Sequence, residues 1–211
     1  MNVNVSSSIV IEDALDSFRA GYNPHPVFFY SSRNAAEPGR SDPEAILASL
    51  ARQLSCLEPG KPLLKPTLDL YKKKEAEGFA SGSLRIEESC ALIIQLTEQY
   101  PLTTIVIDAL DECNPGKRRD LLKALEKVLR ESSGLVKMFV SSRDDHDIVF
   151  RLQHYPNLEI KSNRNSDDIA VFVKDQTERL IKDGELLQYS DSQTEMKELI
   201  MEMVIEGASG M

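Results

Sequence analysis

Cysteine, histidine and positive charge are all scarce in this chain of 211 residues, and each shortage removes a class of function. The three cysteines, Cys56, Cys90 and Cys113, are odd in number and widely spaced, with no CxxC pair. Neither a disulfide framework nor a zinc site is expected from them. His25, His146 and His154 lack ligand spacing and read as surface or packing residues. Acidic residues outnumber basic ones, 34 to 25, which argues against a nucleic-acid-binding surface. The only basic run, Lys72-Lys73-Lys74, is followed at once by Glu75 and Glu77 and reads as a solvated helix face. No apolar stretch approaches membrane-spanning length, and no basic segment leads into an apolar one at the N-terminus. The expectation is a soluble, cytoplasmic chain with no membrane and no nucleic-acid partner. Also missing is a Gly-rich loop closing on Lys-Ser or Lys-Thr, the usual cradle for nucleotide phosphates.

What is present alternates strand and helix, the pattern of a parallel sheet covered on both faces. Apolar residues Ile9, Val10, Ala14, Leu15 and Phe18 fall near helical spacing, and Pro26–Ser31 (PVFFYS) reads as a buried strand. Ser41-Asp42-Pro43-Glu44 marks a helix start: a capping residue, a first-turn proline, and a glutamate placed to reach back. The helix it opens buries Ile46, Leu47, Leu50 and Leu54. Residues 58–82 read as loop and short helix, and a second helix is expected over Leu84–Gln99. Arg118–Arg130 carries an amphipathic stripe of Leu121, Leu122, Leu125, Val128 and Leu129. Leu135–Val140 (LVKMFV) is a strand running into Ser141-Ser142-Arg143, and Leu158–Lys161 a short last strand. Asn165-Ser166-Asp167-Asp168 caps a helix using Ile169, Phe172 and Val173, and a final helix spans Ser192–Ile205.

The stretch that carries chemistry is Thr103–Cys113, TTIVIDALDEC. Thr104 to Ile107 do not alternate with polar residues, so they form a strand buried on both faces. Asp108 then sits where a strand leaves a parallel sheet, with Asp111 and Glu112 one turn beyond. Ligands of open α/β sheets bind outside the carboxyl ends of the strands. Carboxylates there can hold a hydrated Mg²⁺ and orient a water against a phosphate. The plainer reading is an acidic turn capping a helix, with Arg143 a surface arginine paired to Asp144, Asp145 or Asp147.

Taken in order, PVFFYSSR (Pro26–Arg33), DPEAILASLARQL (Asp42–Leu54), YPLTTIVIDALDEC (Tyr100–Cys113), VKMFVSSRDD (Val136–Asp145), NSDDIAVFVKD (Asn165–Asp175) and EGASGM (Glu206–Met211) resemble the NACHT domain of STAND-type P-loop NTPases. That module is common in fungal NOD-like receptor proteins and in nephrocystin-type proteins. The resemblance implies a P-loop NTPase-like α/β fold: a parallel sheet flanked by helices, with a C-terminal helical extension. It implies that Asp108 is the Walker B aspartate holding Mg²⁺ through water. Asp111 and Glu112 match its catalytic acidic extension, and Arg143 matches the sensor-1 arginine aimed at the γ-phosphate. For the intact family it also implies Mg²⁺ with ATP or GTP, effector and repeat domains in a full-length parent, and self-assembly as a homo-oligomer.

One departure bears on chemistry. The family's phosphate loop belongs just ahead of the first helix, where this chain has only Met1-Asn2-Val3-Asn4-Val5, with no glycine and no lysine. The expected fold is therefore one missing its first, P-loop strand. The expected domains are a truncated nucleotide-binding module over 1–183 and the start of a helical extension over 184–211. Without that strand, the strands near Phe139 and Ile160 lose a shared neighbour, and exposed strand edges are a liability. Three function classes follow. The first is a truncated or degenerate NACHT module that does not hydrolyse nucleotide. The second is a nucleotide-operated switch whose phosphate loop is missing only from this chain. The third is a receiver-like phospho-acceptor, for which the acidic pair Glu12-Asp13 and Lys161 are poorly placed.

Overall fold

The computed structural model describes residues 3–56, 60–78, 82–158, 166–188, 190 and 192–208. They divide into two compact units, one within residues 2–155 and the other within 156–211.

The first unit is a three-stranded parallel sheet with helices against it. In chain order it contains α1 (Val3–Arg19), β1 (Val27–Tyr30), α2 (Pro43–Ser55), α3 (Lys65–Ala76), α4 (Ile86–Thr97), β2 (Leu102–Asp108), α5 (Pro115–Glu131), β3 (Leu135–Val140) and α6 (His146–Leu152). The sheet order is β1-β2-β3, so the most apolar strand is central. Val27 to Tyr30 pair with Ile105 to Asp108, and Leu102 to Ile107 pair with Leu135 to Val140. This explains why β2 lacks alternation: Ile105, Val106 and Ile107 are all at most 1% exposed. Ile105 and Ile107 join the core formed by α2, α4 and α5, to which Ile46, Leu50, Ile93, Leu96 and Leu121 contribute. Val106 points to the opposite face by the period of the strand, and α1 packs on β2.

The chain-start chemistry of the helices differs from its expected form in one place. Asp42 stands at the N-cap of α2 with Pro43 at the first helical position, but its carboxylate caps nothing. It accepts instead from Lys117 Nζ at 2.9 Å, because α5 brings an ammonium within reach of it. At α5 the cap is made: Asn114 Oδ1 accepts from Gly116 N at 3.0 Å. At α4, Glu88 reaches back to accept from Arg85 N at 2.8 Å. That bond first, and the Lys74 ammonium second, lower the pKa of Glu88. Lys74 is therefore not a freely solvated residue of the basic run: it pairs with Glu88 at 2.9 Å.

The outer edge of β1 is closed by a side chain. Gln53 accepts from Phe28 N at 3.0 Å and donates to Phe28 O at 2.9 Å, which satisfies the backbone groups that an edge strand leaves open. β3 begins exposed, with Leu135 at 60%. Gly134, just before β3, lies so close to α4 that a Cβ there would stand 2.9 Å from the carbonyl oxygen of Thr97.

Several expectations shift. α1 starts at Val3, earlier than expected, and Ile9 of its expected stripe is exposed while Ile11 is buried. On the segment around α3, Leu64 and Leu70 reach the core, whereas Leu63 and Leu68 are exposed. α6 was not anticipated, being only two turns long. The expected strand Leu158–Lys161 lies outside the described residues, except Leu158, which is exposed and in no strand.

The second unit holds α7 (Ser166–Lys182) and α8 (Gln193–Ala208), which pack on one another. Val173 and Thr177 are buried there, and Lys197 bonds Glu178 at 2.7 Å. Phe172, expected on the buried face, is exposed, and Asn165 lies outside the described residues. No helix of the described residues is long and apolar enough to cross a membrane.

Candidate functional site

The carboxyl ends of β1, β2 and β3 bring together Ser31, Asp108 and Ser141, and the turns that follow bring Arg33, Asp111, Glu112 and Arg143. Ser141 ties β3 to β2. Its amide donates to Ile107 O at 3.0 Å, its carbonyl accepts from Leu110 N at 2.9 Å, and its hydroxyl donates to Asp108 Oδ1 at 2.5 Å. The same hydroxyl accepts from Ala109 N at 3.0 Å. These bonds hold Ala109 at φ 52°, a left-handed conformation that costs a non-glycine residue on the order of 1 kcal/mol. The reversal at Ala109 ends the strand and starts the turn Leu110–Glu112.

Asp108 and Asp111 are both buried, at 2% and 6% exposure. Asp111 Oδ1 accepts from Arg143 N at 3.1 Å, and Arg143 Nε lies 3.6 Å from Oδ2. The arginine therefore pairs with Asp111 across the strand ends, not with its sequence neighbours Asp144, Asp145 or Asp147. Glu112 Oε2 accepts from Arg33 N at 3.3 Å. Arg33 also donates through its guanidinium to the carbonyl of Asp111. Of the four residues expected to form a site, Asp111 and Arg143 are in direct contact, while Asp108 is turned to Ser141 and Glu112 to Arg33.

Three participants escaped the sequence reading. Arg33 closes the PVFFYSSR block but had no assigned role. Ser141 stood in the sequence only as the residue after a strand, whereas its hydroxyl binds Asp108. Arg118 was read only as the first residue of an amphipathic helix. It is 3% exposed and donates from Nη1 to Asp111 O at 2.9 Å. Its Nε and Nη2 grip Asp147 at 2.9 and 2.7 Å, and Nη2 lies 2.8 Å from Asp145. The hydrogen bond from Arg118, first among its causes, holds the Asp147 carboxyl below the ordinary carboxylate range. The signal that could have found Arg118 is its place among the buried leucines of α5, followed downstream by the run Asp144-Asp145-His146-Asp147.

These residues do not by themselves fit a magnesium–nucleotide. Asp108 is engaged by Ser141, Asp111 by Arg143 and Glu112 by Arg33. Among the described residues no three His, Cys, Asp or Glu side chains gather as a metal site. Ser31 Oγ is buried with no hydrogen-bond partner at the same strand ends, and it is one hydroxyl, not a cradle.

Cys113, at the end of the acidic turn, is wholly buried, and burial pushes its thiol up to about 11. Burial raises Cys90 as well, while Cys56 is half-buried. A chromogenic disulfide reagent at mildly alkaline pH should therefore label Cys56 fast and the other two only after denaturation. Rapid labelling of Cys113 in the native chain would show that the turn opens. His25 is the packing residue expected, edge-on to Phe18 at 5.0 Å.

Residues 4–143 match the family described as Nephrocystin 3, N-terminal. The match runs from α1 through all three strands to Arg143. No curated protein and no solved structure matches the chain.

Proposed function

We propose that this chain, which belongs to the nephrocystin 3 N-terminal family, carries the Walker B and sensor half of a NACHT-type nucleotide module and does not hydrolyse nucleotide by itself. The observation that supports this most is the meeting of Asp111, from the turn after β2, with Arg143, from the end of the adjacent β3. A strand-end carboxylate facing an arginine on the next strand is the arrangement a γ-phosphate and its attacking water would need. In the intact family that the chain resembles, the positions of Asp108, Asp111 and Glu112 serve Mg²⁺ and the attacking water; here those carboxylates are engaged by Ser141, Arg143 and Arg33. In the parent architecture the ligand is ATP or GTP, and attached effector and repeat domains read its state. Residues 1–211 contain no GxxxxGK[ST], so nothing in them supplies a row of glycine amides and a lysine to the β- and γ-phosphates.

The test is titration of the purified chain with a fluorescent ATP analogue in Mg²⁺, alongside Asp108→Ala. The expected result is no saturable binding tighter than about 1 mM, or about 4 kcal/mol. Saturable micromolar binding abolished by Asp108→Ala would overturn it. The half-site would then suffice, and the chain itself would be a nucleotide-operated switch.

A further inference from the structure

We infer that Arg118 is a positioning residue, setting where Arg143 stands relative to Asp111 by clamping together the two turns that carry them. The inference rests on the reading of Asp111 and Arg143 as facing parts of one site.

Four residues close a ring. Arg118 Nη1 donates to Asp111 O at 2.9 Å, and Asp111 Oδ1 accepts from Arg143 N at 3.1 Å. Arg143 O accepts from Asp145 N at 2.9 Å, and Asp145 Oδ2 returns to Arg118 Nη2 at 2.8 Å. Asp147, on the first turn of α6, takes the remaining edge of the guanidinium, so the segment after β3 is held at two points.

A purely structural role would not call for this residue. Arg118 sits in the first turn of α5, where the helix dipole disfavours a cation, and it is 3% exposed. A buried ion pair replaced whole, both partners together, by apolar side chains often costs no stability. What an apolar residue or a lysine cannot do is donate in one plane to a carbonyl on one side and two carboxylates on the other. The fork is what joins the acidic turn to the arginine turn.

The experiment is amide hydrogen exchange of the full chain by NMR, following the Arg143 amide with Ile105 and Ile107 as core controls. In Asp145→Ala, which removes a half-exposed carboxylate, the Arg143 amide should exchange about ten-fold faster while the controls stay unchanged. Arg118→Lys, which keeps the charge and loses the fork, should show the same selective loss. Unchanged protection at Arg143 in Asp145→Ala, or loss only in step with Ile105 and Ile107, would overturn the inference, as would full protection in Arg118→Lys. If Arg118→Lys does not fold, Asp145→Ala decides alone. Tight nucleotide binding would overturn the half-site reading and leave the exchange result standing, so the two failures are separable.

Discussion

Arg118→Met should lower stability by about 2 kcal/mol at neutral pH, with a deficit that narrows below about pH 4. Breaking a buried ion pair ordinarily costs about 3–5 kcal/mol, because the orphaned partner stays buried. Here the partners Asp145 and Asp147 are 42% and 47% exposed, so water takes over much of their solvation and the figure falls. What remains is the carbonyl of Asp111, which loses one of its two arginine donors inside the fold. The pH dependence follows from Asp147, whose folded pKa is depressed, chiefly by the Arg118 hydrogen bond. A depressed carboxylate contributes stability that is fully present above its unfolded value, near 4, and lost as the pH falls through the folded value. The native chain loses that contribution in acid and the variant never has it, so the two converge. Urea unfolding at neutral pH and at pH 3 checks this. A deficit independent of pH would assign the loss to packing and to the Asp111 carbonyl alone.

The parts of this molecule legible in its sequence are those set by local periodicity. β2 was legible because burial on both faces leaves a continuous β-branched run. α2 was legible because a proline fixes its first turn and four apolar residues recur at helical spacing. Asp108, Asp111 and Glu112 were legible as carboxylates at the end of a parallel strand, whereas Arg143 joined them only through the family resemblance. What was hidden depends on partners distant in sequence. The engagement of Asp42 with Lys117 spans 75 residues, and no cap rule anticipates it. Arg118 looked like the polar start of a helix because its partners, Asp145 and Asp147, belong to the turn after another strand. Ala109 in the left-handed region carries no glycine to announce it; the bonds from Ser141 hold it there. α6 is too short for its periodicity to stand out.

The largest effect is expected in the core that seats these strand ends. Leu50→Ala should cost about 3 kcal/mol, within the range of about 2–5 for a buried leucine, whereas Leu68→Ala should cost less than about 1. Both residues lie on helices and look alike in the sequence, but Leu50 is fully buried and Leu68 is 40% exposed. The difference lies in what surrounds them. α2 packs on β1, α4 and α5 together, so a cavity at Leu50 cannot be closed by moving any one of them. α3 packs on α4 at the edge of the unit, where water can follow a truncated side chain. Chemical denaturation separates the two: Leu50→Ala should lower the midpoint without changing the slope, since the same surface is exposed on unfolding. Through Gln53 the same helix grips Phe28 of β1, the strand that leads to Ser31 and Arg33. If Leu50→Ala proved as mild as Leu68→Ala, α2 would not be the seat of β1, and the placement of Arg33 against the acidic turn would need another support.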